Sequence, residues 1–375
     1  MRLIPKLIGR DVDGPSFSFS RPLVLLHSDD WGRVGVRDKD GYEKLRSKGL
    51  RLGENPYDMY SLETAADVDS LSNLLGSHHD SVGRPPCLVM NFCPANLDFK
   101  KMGQGGFSKL EFLPLFRGLP GRWSRPGLLD SYRAGQKKGV FFPGLQGVSH
   151  FSTFAVEHAL RENGERAQLL RLLWEEDTPF IYWRMPWVGY EYWHPEEPHP
   201  GFLPAEEQRT LVRRGYELFL ALFRTSPISA HAPGDKANSD TYQAWAQYGF
   251  RVAQEGGGEL KAPSMHPSGI LELHRVVDFE PSKREMEIEK YLEIAQLCFS
   301  RGIPFVVSTH AINFHSSIKD FRTPSLAALD RLLTALESKY PDLLYVNDSD
   351  MYSIVTKGAF RTHTGKIAVA HHSGE

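Results

Sequence analysis

Cysteine and long apolar runs are both scarce in this chain. Its three cysteines, Cys87, Cys93 and Cys298, are an odd number without a Cys-x-x-Cys pair. This argues against a disulfide scaffold and a cysteine-based zinc site, and a reducing compartment is the easier fit. No apolar stretch approaches the ~20 residues of a membrane span, and Pro5 and Gly9 interrupt an N-terminus too short for a signal peptide. We therefore expect a cytoplasmic protein without a membrane span.

The chain also lacks an excess of positive or of negative charge. The formal net charge is −2, so neither a nucleic acid nor an anionic membrane is an expected partner. The glycine run at 256–258 lacks the strand–GxGxxG–helix context of a dinucleotide site. What the chain does have is length: 375 residues with 41% hydrophobic content can bury one large α/β core or two smaller ones.

Short apolar runs alternate with helical patterns along the chain. The clearest strands are predicted at 23–27, 87–92, 140–145, 228–234 and 303–310, and the clearest helices at 65–75, 154–176, 205–223 and 325–339. This alternation predicts a mostly parallel sheet. All five strands end in polar residues, which favours a (β/α) barrel over a doubly wound sheet. We predict one barrel domain over 1–355, with rim insertions near 100–135 and 180–204, and a loosely ordered polar tail over 356–375.

The strand ends carry the candidate functional residues. The apolar run 23–26 stops at His27-Ser28-Asp29-Asp30-Trp31-Gly32. Two adjacent carboxylates are costly when buried, so a bare Asp-Asp pair would more simply cap a turn. The preceding strand and the matching polar strand ends favour a functional site instead. Those ends carry Asp29 and Asp30, Asn91 and Asn96, Gln146 and His150, His231, and His310.

An aspartate and histidines from separate strand ends suit zinc or a similar divalent ion. A catalytic metal site keeps one position open for water, whose pKa the ion lowers. One carboxylate of the pair could then bind the ion while the other takes a proton from the water. A histidine on the far side could protonate the leaving group.

The segment Ser28-Asp29-Asp30-Trp31-Gly32 resembles the first motif of the polysaccharide deacetylases, the NodB-like carbohydrate esterases. It is especially similar to a bacterial branch associated with surface-polysaccharide gene clusters. The resemblance extends over residues 20–352 and implies a distorted (β/α)7 barrel. It also implies that Asp29 is the catalytic base and Asp30 a metal ligand.

The later motifs match less closely. His150 stands where the second histidine of the second motif is expected, but Gln146 replaces the first, and glutamine is a poor zinc ligand. His231-Ala232-Pro233-Gly234 resembles the third motif with histidine in place of arginine. His310 matches the catalytic histidine of the last motif, and Asn96-Leu97-Asp98-Phe99 resembles a segment of the branch.

The resemblance implies a zinc-dependent deacetylase that removes an acyl group from an N-acylated amino sugar, in surface-polysaccharide (O-antigen-like lipopolysaccharide) biosynthesis. A related reading is another transformation of sugar-linked acyl or amidine groups. The alternative is a metal-free carbohydrate-binding barrel that has lost catalysis, which the glutamine suggests. We predict catalytic roles for Asp29, His310 and His231, metal binding by Asp30 and His150, and substrate contacts from Trp31, Gln146, Asn96 and Asn313.

Several roles stay open at this point. His150 could be an ordinary loop histidine, and His231 could bond only its own turn. The aromatic segment 180–199 is either a loop that buries its rings or a wall that stacks on sugars. His194, His199 or His315 could supply a third metal ligand, and nothing in the sequence selects among them.

Overall fold

The computed structural model describes residues 15–181, 184–195, 200–362 and 365–374. Its α-helices are α1 (Lys39–Ser47), α2 (Ala65–Ser77), α3 (Phe99–Gln104), α4 (Leu128–Lys138), α5 (Thr153–Glu162), α6 (Glu165–Trp174), α7 (Ala205–Phe223), α8 (Ser239–Gln247), α9 (Ile288–Ser300), α10 (Arg322–Lys339) and α11 (Asp348–Lys357). Its strands are β1 (Ser16–Phe19), β2 (Leu23–Trp31), β3 (Leu88–Phe92), β4 (Ala95–Leu97), β5 (Phe112–Pro114), β6 (Phe141–Leu145), β7 (Trp193–His194), β8 (Gly201–Phe202), β9 (Ser229–His231), β10 (Val252–Glu255), β11 (Ser264–Met265), β12 (Leu271–His274), β13 (Val277–Asp278), β14 (Phe305–His310), β15 (Leu344–Tyr345), β16 (Ala359–Thr362), β17 (Gly365–Ala368) and β18 (His371–Gly374).

Strand β2 is central, and all of its residues are buried. It pairs in parallel with β14 on one side and β3 on the other, and β15 joins it near its start. A strand covered on both faces is apolar without alternation, which is why its first residues predicted it. The strand continues past His27 to Trp31, because Asp29 stays in register with His310 of β14.

The parallel strands close into a barrel. Their order is β13-β14-β2-β3-β6-β9-β10-β12, so β12 and β13 stand at opposite ends although only Arg275 and Val276 separate them. The Arg275 amide donates to Glu255 of β10 at 3.3 Å, and the Val276 amide donates to Val306 of β14 at 2.9 Å. One extended segment therefore pairs first with β10 and then with β14. With β14, β2, β3, β6, β9 and β10 it makes seven positions, which confirms the predicted distorted (β/α)7 barrel.

The helices follow the predicted pattern with one clear difference. Helix α7 has the predicted bounds and buries Val212 and Phe219 on the face that packs against the barrel. The single helix predicted over 154–176 is instead divided into α5 and α6. Asn163 ends α5 in the left-handed region (φ 55°), a conformation that asparagine and glycine adopt most easily. The periodicity of apolar residues continues across this break, so the pattern did not reveal it.

The C-terminal residues are not the loosely ordered tail that the sequence predicted. Strands β16 and β17 form a hairpin, and β18 pairs antiparallel with β1. His371 of β18 packs its ring 6.0 Å from that of Phe17 and 6.3 Å from that of Phe19. Main-chain pairing with a distant strand needs no apolar pattern, so it was not visible in this polar sequence. None of the helices in the described ranges is long and apolar enough to cross a membrane.

Candidate active site

Asp29 lies at the carboxyl end of β2 and is fixed from across the barrel. Arg275 donates to both of its oxygens, from Nη1 to Oδ2 and from Nη2 to Oδ1, each at 2.6 Å. Asn91 of β3 donates to Oδ1 at 2.7 Å. Burial raises the pKa of Asp29, but the charge and hydrogen bond of Arg275 together with the charges of His231 and His310 outweigh burial and hold the pKa well below its ordinary value. Asp29 is therefore ionised at any working pH.

Asp30 is held by its backbone as well as its side chain. It adopts a left-handed conformation (φ 74°), which is uncommon outside glycine and occurs often at functional sites. Its amide donates to Oε1 of Gln146 at 2.7 Å, and Tyr60 donates its hydroxyl to the Asp30 carbonyl at 2.6 Å. Arg33 contacts Oδ2 at 3.0 Å, and His150 lies 3.2 Å from Oδ1. Burial raises the Asp30 pKa, but Arg33 and His150 outweigh it and keep the pKa well below its usual value.

His310, at the end of β14, faces Asp29 across the site. Its Nε2 lies 4.0 Å from Oδ2 of Asp29, and its Nδ1 is hydrogen-bonded to Glu280. Asn313 holds Glu280 in turn, donating to Oε2 at 3.0 Å. Burial lowers the pKa of His310, but the charge and hydrogen bond of Glu280, together with the charges of the two aspartates, outweigh burial and raise the pKa to about 9. The ring is therefore protonated near neutral pH, with Nδ1 donating to Glu280 and Nε2–H available on the side of Asp29.

His231, at the end of β9, is neutral. Its Nδ1 lies 2.9 Å from the carbonyl oxygen of Gln254, so this nitrogen carries the proton. Its Nε2 lies 3.4 Å from both Arg275 Nη1 and Asp29 Oδ2. Burial and the charge of Arg275 lower its pKa. These contacts support a role in positioning Arg275 and Asp29, and the predicted catalytic role of His231 stays a prediction.

A buried polar network runs through the barrel below the site. Gln254 of β10 accepts from Asn91 at 2.7 Å and from Arg275 at 2.9 Å through Oε1, and donates to Asp348 at 2.7 Å through Nε2. Asp348 also contacts His27 at 2.8 Å. One amide thus connects the ion pair under Asp29 with a second pair deeper in the barrel. Buried networks of polar groups hold their side chains in one arrangement.

The loop that carries Gln146 and His150 is organised by Glu191. One oxygen of Glu191 accepts from the amides of Val148 at 2.6 Å, Ser149 at 3.0 Å and His150 at 3.4 Å. Burial raises the pKa of Glu191 to about 7, although these amides lower it. The sequence left its segment open between a loop that buries its rings and a wall that stacks on sugars, and both interpretations drew attention to the rings and not to this carboxylate.

The site opens into a cavity of about 420 Å³. This volume is within the usual range of small-ligand pockets. Two tyrosines, Tyr57 and Tyr190, contribute aromatic surface, and Asp235 and Asp278 contribute carboxylates. The full lining is Asp29, Asp30, Arg33, Tyr57, Gln146, His150, Tyr190, His231, Gly234, Asp235, Gly257, Arg275, Asp278, Ser308 and His310.

Three of the predicted substrate contacts do not line this cavity, and those predictions were wrong. Trp31 has no exposed surface because its ring packs against Phe314. Asn96 bridges the backbone of the turn after β2, accepting from the Val34 amide at 2.9 Å. Asn313 supports Glu280 from behind. All three stabilise the site from outside it, whereas Gln146 lies in the lining as predicted.

The candidates for a third metal ligand also lie elsewhere. His315 contacts Glu63 at 3.2 Å, away from the cavity, and His194 packs its ring 4.7 Å from that of Phe154. His199 lies outside the described residues. Within the described part of 180–204, Tyr190 is the cavity residue, while Tyr192 is buried in the core. No residue of 100–135 lines the cavity.

The residues do not fit a catalytic zinc site. His150 and Asp30 could share an ion, since their nearest side-chain atoms are 3.2 Å apart. A catalytic zinc needs three protein ligands, however, and the described residues include no group of three or more His, Cys, Asp or Glu side chains that could hold a metal. Gln146 uses its oxygen on the Asp30 amide, and Arg33 already places a positive charge on Asp30. The zinc prediction stays a prediction, and no step below depends on it.

Arg33, Arg275 and Glu280 are functional candidates that sequence reasoning missed. Arg33 directly follows the Asp-Asp motif, so its position gave a usable signal. Arg275 directly follows strand β12, but in the sequence it lay inside a weakly predicted strand, where a lone arginine was not distinctive. Glu280 follows β13, whose two residues were too short a run to predict.

No family model matches this sequence, and no curated protein matches it. Solved structures of similar fold include a protein from Mycobacterium smegmatis assigned to the polysaccharide deacetylases (13% identity, 94% of this chain and 95% of that chain, TM-score 0.47). They also include the chitin deacetylase of Colletotrichum lindemuthianum (10%, 87% and 87%, 0.40) and the 4-α-glucanotransferase of Thermococcus litoralis (8%, 90% and 40%, 0.45). Such distant likeness carries no argument about chemistry. The fold and the site by themselves define a (β/α)7 barrel protein in which a buried aspartate and a partly exposed histidine face a cavity.

Proposed function

We propose that this protein is a hydrolase that removes the acyl group from an N-acylated amino sugar. One observation carries the proposal: Asp29 and His310 face each other at 4.0 Å with opposite protonation states. Asp29 is an ionised carboxylate, and His310 is a protonated imidazole. Two titratable groups whose surroundings move their pKa values apart are the usual assignment of a general base and a general acid.

The reaction follows from these two states. A water molecule between the two groups is oriented by Oδ2 of Asp29 and attacks the carbonyl carbon of the amide. Its proton moves to Asp29 as the new C–O bond forms, since water becomes acidic only during attack; a carboxylate of low pKa is too weak a base to remove the proton earlier. The C–N bond then breaks as Nε2–H of His310 protonates the leaving nitrogen. The products are a carboxylic acid and a free amine, and the proton on Asp29 returns through solvent to His310.

The lining of the cavity supports a sugar as the substrate. The rings of Tyr57 and Tyr190 line the cavity along with its polar side chains, and aromatic rings are suited to the apolar face of a pyranose. Carboxylates such as Asp235 and Asp278 can accept from sugar hydroxyls. Along with this substrate we propose a role in the synthesis of a surface polysaccharide of the O-antigen type, which the resemblance of the first motif suggests.

The test is release of the acid and the amine. The purified protein is incubated with N-acetyl and N-formyl hexosamines, as free sugars and as short oligosaccharides, and acetate or formate is followed by NMR. We expect stoichiometric acid and free amine from at least one substrate, and no release by Asp29→Asn. The same samples are analysed for zinc, with His150→Ala as control, which tests the predicted metal. Saturable sugar binding without any acid release would contradict hydrolysis and favour the carbohydrate-binding alternative.

A further inference from the structure

The cavity has more carboxylates than positive charges. Its charged side chains of positive sign each contact a carboxylate, in the pairs Arg33–Asp30, Arg275–Asp29 and His310–Glu280. Asp235 and Asp278 also line the cavity, and in the described part of the chain neither forms an ion pair with a lysine or an arginine. Burial lowers the pKa of Arg275, but the charge and hydrogen bonds of Asp29 and the charges of these two carboxylates outweigh burial and raise it. One guanidinium therefore faces three carboxylates.

Asp235 lies close to the proposed general base. Its Oδ1 is 3.5 Å from Nε2 of His231, and the same nitrogen is 3.4 Å from Oδ2 of Asp29, so the two carboxylates are at most about 7 Å apart. The side chain of Asp235 is 52% exposed, whereas that of Asp29 is 3% exposed. Asp235 therefore lies toward the open part of the cavity, within the reach of a sugar whose acyl group is at Asp29.

Asp278 lies near the proposed general acid. Its Oδ1 accepts from Oγ of Ser308 at 2.8 Å, and its Oδ2 has no hydrogen-bond partner within the described residues. Ser308 and His310 are two residues apart in β14, so their side chains lie on the same face of the strand, about 7 Å apart along it. Arg284 donates to the backbone carbonyl of Asp278 at 3.0 Å and not to its carboxylate. This carboxylate thus keeps an oxygen that can accept from a ligand.

The glycine run after β10 lies between the two carboxylates. A Cβ on Gly256 would be 3.0 Å from the carboxyl carbon of Asp235, and a Cβ on Gly257 would be 3.2 Å from Oδ1 of Asp278. Consecutive Cα atoms are 3.8 Å apart, which places the two carboxylates within about 13 Å of each other. The wall between them has no side chain, so a ligand in the cavity can approach both.

We infer that Asp235 and Asp278 bind a protonated amino group of the substrate. The substrate class rests on the proposed hydrolysis and is an N-acylated amino sugar that also carries a free amine, as in a partly deacylated oligosaccharide. An ammonium group has three N–H donors, and charge-assisted hydrogen bonds to carboxylates are roughly twice as strong as neutral ones. A fully acylated sugar has only neutral groups to place beside the two carboxylates.

The simpler alternative is that Asp278 only supports Ser308 and that Asp235 is an ordinary surface carboxylate. Asp278→Asn and Asp235→Asn separate the two interpretations, because asparagine keeps the size and an accepting oxygen but lacks the charge. Asp69→Asn, exposed on helix α2 and outside the cavity lining, is the matched control.

The experiment measures the affinity for two disaccharides by calorimetry at pH 6 and low salt with EDTA-treated protein. Chitobiose carries amines that are protonated at this pH, and cellobiose has hydroxyl groups in their place. We expect the wild type to bind chitobiose at least about tenfold more tightly, as for a hydrogen bond between charged groups. Asp278→Asn should lose about 5- to 30-fold in affinity for chitobiose, and the more exposed Asp235→Asn about 2- to 5-fold.

The controls concern charge and shape. The affinity of each variant for cellobiose should change by less than about threefold, since a neutral hydrogen bond can still form. Asp69→Asn should resemble the wild type with both disaccharides. The preference for chitobiose should shrink as sodium chloride is added, because salt screens partly exposed charges.

The outcomes separate this inference from the proposed function, because neither disaccharide has an acyl group to be hydrolysed. Equal affinity of the wild type for the two disaccharides, or no binding of either, would contradict the inference even if the protein hydrolyses N-acylated sugars. A preference for chitobiose that both variants keep would also contradict it. A preference that the variants lose, together with no acid release from any N-acylated sugar, would support the ammonium site and reject the proposed reaction.

Discussion

Replacing Glu280 by glutamine should shift the pH range in which His310 works. Glu280 is buried, bonds Nδ1 of His310 and provides the main charge that raises the pKa of that ring to about 9. Glutamine keeps the shape and an accepting oxygen but removes the charge. The pKa of His310 should then fall towards the ordinary histidine value of about 6.5. The variant therefore changes the proton affinity of the general acid while Nδ1 of His310 keeps an acceptor, although the new NH2 group faces the Asn313 donor that now bonds Oε2.

The size of the effect follows from the two pKa values. At pH 8, a group of pKa about 9 is ~90% protonated and a group of pKa about 6.5 is ~3% protonated, so the rate of acyl release should fall up to about 30-fold. At pH 6, His310 is mostly protonated in both the wild type and the variant, and the two rates should agree within about twofold. The side chain of His310 is 30% exposed, so screening by solvent makes 30-fold an upper figure.

The free energy of unfolding should depend on pH in the same direction as the rate of acyl release. A raised pKa in the folded state stabilises the protein fully below the unfolded-state value of about 6.5, and this contribution is lost as the pH rises through about 9. Urea denaturation should therefore find the wild type more stable than Glu280→Gln at pH 6, by at most about 3 kcal/mol. The difference should shrink by pH 9.5. The exposed substitution Glu287→Gln serves as the control for both assays.

The assay is kcat for acid release between pH 5.5 and 10, fitted to the loss of a protonated group. A wild-type profile that falls near pH 9, displaced to lower pH in Glu280→Gln, is the expected result. If the two profiles have the same pH dependence, His310 is not the general acid, whatever the loss in overall rate. An equal rate loss at pH 6 and pH 8 would assign Glu280 a role in geometry alone.

Three further predictions concern the supports of the site. Asp29→Asn should reduce acyl release at least ~100-fold while the circular dichroism spectrum is unchanged. Gln254→Met should lower the free energy of unfolding by about 2–4 kcal/mol in urea, because it removes one buried donor from Asp348 and the shared acceptor of Asn91 and Arg275. Gly147→Ala should lower it by about 1–3 kcal/mol and reduce activity, because the residue has a φ of 69° and its new Cβ would lie 2.3 Å from Glu191.

Each of these three predictions would be contradicted by a specific result. If the Asp29→Asn variant released acid at the wild-type rate, Asp29 would have no role in the mechanism. A Gln254→Met protein as stable as the wild type would mean that water replaces the lost hydrogen bonds in the barrel. For Gly147, the matched control is Gly83→Ala, which also has a positive φ (77°) but has nothing within 4 Å of the new Cβ. Equal effects at the two glycines would show that backbone strain acts alone and that contact with Glu191 contributes nothing.

Much of the fold could be predicted because it depends on local patterns. The apolar run at the start of β2 and the stripe of α7 reflect burial that each segment experiences along its own length. The polar ends of β2, β6, β9 and β14 were recognisable for the same reason. Parallel strands deliver their carboxyl ends to one side of a barrel, so Asp29, Gln146, His150, His231 and His310 were correctly expected near one another.

The roles of individual side chains could not be predicted in this way. Asp29 and Arg275 are 246 residues apart in the chain, and only the closing segment after β12 brings them into contact. Glu280 reaches His310 through the same closure, which leaves a protonated imidazole opposite an ionised carboxylate. The orientation of a side chain depends on which neighbours fill the space around it, so Trp31 is in the core although its motif suggested the cavity. Sequence patterns thus determine where the strands run and end, whereas charge states and side-chain directions depend on contacts between distant parts of the chain.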